Sequence, residues 1–215
     1  MVKWYNTSAN DRFLAGIIGL NTAVFLAWQI PMLAPFMVRH FMHYPGVSRS
    51  YTLLTACFSH KDLWHFGFNM MALWSFGQGM LNWMSREEFA AFYLSAGTLA
   101  SLGSHVLTAR FRPLSVVKPS LGASGAIFGL LATCAWQFPD ARVHIIFLPM
   151  LPIKIGHAMA GLMTLDLLGV IRGWQVFDHY AHLSGAIAGL LYMQYGHSVV
   201  WDGIQRRLLE ARRSS

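Results

Sequence analysis

Apolar residues in this 215-residue chain recur in long blocks separated by short polar breaks. The blocks fall at roughly 13–30, 63–81, 88–108, 122–138, 153–171 and 179–195. Each holds about 16–22 residues, enough for roughly 24–33 Å of helix at about 1.5 Å per residue. The pattern predicts six membrane-spanning helices packed as one domain, with both termini on the same side. The stretch "PMLAPFMVRHFMHYPGVSRSY" (31–51) is too broken by proline to span, yet too apolar for a free loop. It reads as a segment lying on the bilayer surface. "ARFRPLSVVKPS" (109–120) is a polar connector, and "FPDARVHIIFLPMLP" (138–152) predicts a short turn or an extended excursion. The expected organisation is an N-terminal segment (1–12), a six-span core (13–196) and a basic tail (197–215) that can form a short amphipathic surface helix. No internal repeat or low-complexity segment interrupts it.

Composition agrees with that reading: 55% of residues are hydrophobic and 12% are charged, about half the charged share of soluble domains. The net charge of +7 resides in loops and in the tail, where Arg206, Arg207, Arg212 and Arg213 cluster. A nucleic-acid partner would need a soluble basic face, which this chain lacks. Anionic lipid headgroups suit the tail better. Lysine and arginine divide nine to seven between the two predicted sides, a bias too small to set orientation. Cys57 and Cys134 lie in apolar surroundings and read as structural thiols rather than a disulfide. The opening "MVKWYNTSANDRF" has neither a signal peptide nor an Arg/Ser-rich presequence.

Polar side chains within spans are costly and therefore informative. His65 and Asn69 in "HFGFN" share a helical face. Ser124 sits among small residues in "SLGASGAIFG", at the start of the fourth span. His182 lies about one turn inside the sixth. The segments leading into spans two, four and six all lie on one side, so these four side chains converge at similar depth. Gly125-xxx-Gly129 and Gly185-xxx-Gly189 offer small faces for close helix approach, which would bring Ser124 to His182. A serine needs a base to become a nucleophile, and neutral histidine supplies one. First-turn N–H groups beside Ser124, with Asn69 and His65, can stabilise an oxyanion. Phe128, one turn on from Ser124, can pack against the His182 ring. The reading is a Ser–His dyad with an acyl-enzyme. Asp178 suits an N-cap, while Asp166 in "MTLDLLG" reads as a structural carboxylate far from the dyad.

These motifs resemble those of rhomboid intramembrane serine proteases: "HFGFN" for His-xxx-Asn, "GASG" for Gly-x-Ser-Gly including Gly122, and "AHLSGAIAG" for Ala-His-xx-Gly. The resemblance implies an all-α, six-helix membrane bundle with Ser124 as nucleophile, His182 as base, and Asn69 and His65 at the oxyanion. It implies transmembrane protein substrates, with no cofactor and no metal. "SLGASGAI", "IIFLPM", "FDHYAHL" and "YGHSVVW" are similar to the mitochondrial, presenilin-associated branch. That similarity implies a mitochondrial inner-membrane setting, although the branch's extra helix and targeting region are absent from this chain. Phe128 stands where many members carry tyrosine. Two other readings compete: a catalytically silent member that binds client helices, and a metal-binding or proton-moving protein using the histidines and Asp166.

Overall fold

The structure is a computed structural model that describes residues 8–112, 118–145 and 148–213. Parts of the predicted N-terminal segment, the 109–120 connector, the 138–152 excursion and the tail end therefore lie outside the described residues. Helices stand at each of the six apolar blocks: α1 (Ala9–Trp28), α4 (Leu63–Leu81), α5 (Arg86–Phe111), α6 (Ser124–Gln137), α7 (Ile155–Arg172) and α8 (His179–Leu191). Two short helices, α2 (Ala34–Phe41) and α3 (Thr52–Thr55), fold the first connector into ordered structure. By length and composition alone, α1 and α7 among the described residues qualify to cross a membrane.

Local chemistry sets the helix ends. Ser8 and Asp11 form a reciprocal capping box on α1, Asp62 caps α4, Ser85 caps α5 and Asp178 caps α8. Each side-chain oxygen takes a first-turn N–H that would otherwise lack a partner. α7 ends at Gly173, whose φ of 72° closes the helix in the left-handed conformation. α6 begins with no side-chain cap at all.

α6 is the shortest of these six after α8 and lies at the centre, packed against α4, α5, α7 and α8. Nine of its residues, from Gly125 to Cys134, are buried. Its seam with α8 is backbone on backbone. A β-carbon on Gly185 would lie 2.0 Å from the Gly125 carbonyl oxygen, and one on Gly189 would lie 2.2 Å from that of Gly129. Glycine is required at both positions because any side chain would force the helices apart.

Between α6 and α7 the excursion is a hairpin of β1 (Arg142–Ile145) and β2 (Leu148–Lys154), antiparallel, with a bulge at His144/Ile145. Among the described residues this hairpin is the one sheet, and the rest of the regular structure is helical. Beyond α8 the backbone stays helical without a break to α9 (Asp202–Arg213), through a π-helical stretch at Tyr192–Trp201. In an α-helix, residues five apart point about 140° away from each other. The wider π turns instead bring Tyr192 and His197 together on Glu88 of α5. Both bond Glu88 Oε1, His197 through Nδ1 at 2.6 Å.

Candidate active site

Ser124 is the first residue of α6, and the turn that delivers it is fixed from three directions. Ser120 and His43 exchange backbone hydrogen bonds of 3.1 and 2.8 Å, which tie the connector to the first loop. The Gly122 N–H donates to the Ala56 carbonyl at 2.8 Å. The Ala123 N–H donates to His60 Nε2 at 3.2 Å. Gly122 has φ +121°, and a β-carbon there would lie 2.7 Å from the His65 ring. Its conformation and its space both demand glycine. Among the described residues, no acceptor meets the Ser124 N–H itself.

His182 Nε2 lies 3.0 Å from Ser124 Oγ, across the glycine seam of α6 and α8. The Phe128 ring is stacked on the imidazole, with centroids 4.1 Å apart and planes 9° apart. That contact holds the ring edge toward Ser124.

The sequence reading placed Asp166 far from this pair, and the structure corrects it. Asp166 Oδ1 and Oδ2 lie 3.1 and 3.2 Å from His182 Nδ1. Oδ1 is also 2.6 Å from His179 Nδ1. α7 runs toward the end of the bundle where α8 begins. Asp166, six residues before the end of α7, therefore lies about 9 Å from that end, while His182 lies about 5 Å into α8. A carboxylate only accepts hydrogen bonds, so the His182 proton is on Nδ1 and the Nε2 lone pair faces the Ser124 hydroxyl. His179 fits against α7 because Gly169 leaves the space, a β-carbon there lying 2.4 Å from its ring.

Asp178 caps α8 through the Ala181 N–H at 3.0 Å, as its position in the sequence predicts, and accepts the Ser104 hydroxyl at 2.7 Å. Asn69 donates one amide hydrogen to the His65 carbonyl at 2.7 Å, leaving its second for another acceptor. His65, Asn69, Ser124, Phe128 and His182 all line one cavity of about 730 Å³.

His60 was not a site residue in the sequence reading. It is fully buried, and burial, aided by His65, pushes its pKa down to about 3. The ring is therefore neutral and able to accept the Ala123 N–H. Among the described residues, no group of three or more His, Cys, Asp or Glu side chains is arranged to hold a metal ion.

The rhomboid domain family matches residues 47–198, a span that contains every residue of this cavity named above. The chain belongs to the rhomboid family. It is 41% identical over 202 residues to the presenilin-associated rhomboid-like protein, mitochondrial, of Homo sapiens, covering 92% of this chain and 52% of that protein. It is 34% identical over 198 residues to Rhomboid protein 1, mitochondrial, of Saccharomyces cerevisiae, covering 92% and 57%. RHOMBOID-like protein 12, mitochondrial, of Arabidopsis thaliana is 27% identical over 199 residues, covering 85% and 58%. The chain spans about half the length of these curated relatives. Within the rhomboid domain, the glycine seam, the serine at a helix start and the stacked histidine form one continuous unit.

Proposed function

We propose that this chain is an intramembrane serine protease, a six-span protein of the mitochondrial inner membrane that hydrolyses peptide bonds in or beside transmembrane helices. The observation that carries the reading is His182 Nε2 at 3.0 Å from Ser124 Oγ, with Asp166 on the opposite ring nitrogen. A protein that only bound client helices would have no use for that alignment. The mitochondrial setting rests on the relatives, and the bilayer-surface position of the first loop on its amphipathic α2.

Ser124 Oγ attacks the scissile carbonyl carbon as its proton passes to His182 Nε2. The carbonyl oxygen becomes an oxyanion, held by the Ser124 N–H and the free amide hydrogen of Asn69, with His65 beside it. Asp166 stabilises the imidazolium and keeps its orientation. Collapse of the tetrahedral intermediate breaks the C–N bond, and His182 gives its proton to the leaving amine. Water, deprotonated by the same imidazole, then releases the acyl group and restores Ser124. The apolar cavity below Ser124 accommodates substrate side chains.

The test is cleavage of a membrane-spanning substrate co-reconstituted with the protein in liposomes. Two products from wild type, none from Ser124→Ala and none from His182→Ala, are the expected result. Cleavage by Ser124→Ala at the wild-type rate would refute the mechanism.

A further inference from the structure

The cavity that holds Ser124 is lined by apolar side chains and by four charged ones, Arg112, Lys118, Asp62 and Asp178. Ala72, Ile127, Leu131 and Val170 belong to its apolar lining, while Arg112 and Lys118 line it where α5 finishes and the segment into α6 begins. Both cations reach across to the segment after α7. Lys118 Nζ donates to the Gln175 carbonyl at 3.1 Å, and a β-carbon on Gly173 would lie 3.3 Å from Arg112 Nη1. Among the described residues, neither cation has a carboxylate within 4.0 Å.

Two carboxylates, Asp62 and Asp178, also line the cavity and keep their charge, but their hydrogen bonds hold them on other groups and neither forms an ion pair with Arg112 or Lys118. Asp62 accepts the His65 N–H at 2.8 Å, and Asp178 accepts the Ala181 N–H and the Ser104 hydroxyl. The cavity that holds Ser124 thus presents two cations that no carboxylate among the described residues holds in an ion pair. A group held in the cleft sits close to them, and an acidic one gains from their field while a basic one is repelled.

We infer that Arg112 and Lys118 are specificity-determining residues that recognise a carboxylate side chain in the aqueous flank of the substrate, next to the segment entering the cleft. This inference rests on the protease reading. Arg112 offers a forked donor matched to a carboxylate, and Lys118 a second point charge. An anionic lipid headgroup would bring the same chemistry. However, both cations face the cleft that holds Ser124, so the peptide occupying that cleft is their natural partner.

The experiment uses the full chain in liposomes of neutral phosphatidylcholine. Substrates differ only in whether Glu, Gln or Lys occupies one flank position, with that position moved stepwise away from the scissile bond. At low salt the best-placed Glu substrate should show a KM about threefold to tenfold below its Lys counterpart, with kcat unchanged. The gap should close at high salt. The Arg112→Glu/Lys118→Glu protein should reverse the order while still labelling with a fluorophosphonate, which shows that the fold and Ser124 are intact. An unchanged order in that labelled variant would overturn the inference and leave the protease reading standing. So would a rate that follows added anionic lipid but ignores flank charge, which would assign the cations to headgroups. Absence of both cleavage and label in wild type would overturn the two readings together.

Discussion

Asp166 on α7 and His182 on α8 are joined at 3.1 and 3.2 Å through the ring nitrogen that faces away from Ser124. The carboxylate fixes both the tautomer and the tilt of the ring, so its loss should act on chemistry rather than on substrate binding. Asp166→Asn should lower kcat by roughly tenfold to a thousandfold with KM little changed. Steady-state kinetics on a reconstituted substrate check this. Full activity in a folded Asp166→Asn protein would show that the serine and histidine act alone.

The stack of Phe128 on His182 makes a separable prediction. Phe128→Ala removes the ring face packed on the imidazole and leaves Asp166 as its anchor, so the ring gains freedom and turnover should fall by about tenfold or more. Phe128→Tyr keeps the ring face and should retain most activity. Measuring both against Phe128→Leu separates aromatic stacking from simple filling of space.

The α6–α8 seam should fail through assembly. Gly185→Ala places a methyl group where the Gly125 carbonyl already stands. Relief requires the helices to part, at a cost of about 1–3 kcal/mol or more. Thermal unfolding in detergent should show a lower Tm together with lost activity. By contrast, Ser124→Ala should unfold at the wild-type temperature.

His60 supplies a pH dependence. Burial holds its pKa near 3 against about 6.5 in an unfolded chain, so the unfolded state binds the extra proton in the window between those values. Stability from this group is present above about 6.5 and declines as the pH falls toward 3. His43, in the first loop, is also pushed down, to about 4, chiefly by burial, and acts in the same direction. His60→Gln removes one of the titrations acting in this direction, so its Tm should vary less with pH across this window. An equally steep dependence in His60→Gln would assign the effect elsewhere.

Much of this site was legible because it is local in sequence. Ser124 and Phe128 are one turn apart, His65 and Asn69 likewise, and the two Gly-xxx-Gly faces predict the seam that joins α6 to α8. The apolar blocks place the helices because they are long and cleanly interrupted. Asp166 was misplaced because its depth depends on where α7 ends, which Gly173 sets, and on α7 running antiparallel to α8. The grip of His60 on the Ala123 N–H is a contact between two loops with no periodic signature. The union of Tyr192 and His197 on Glu88 was hidden for another reason. A reading based on 3.6 residues per turn puts residues five apart on different faces, and only a π-helical stretch brings them together.

Activation of Ser124 as a nucleophile can be read from fluorophosphonate labelling of the detergent-solubilised protein. Wild type should label covalently at Ser124, whereas Ser124→Ala and His182→Ala, folded by thermal unfolding, should not. A folded wild-type protein that takes up no label would show that Ser124 is not an activated nucleophile.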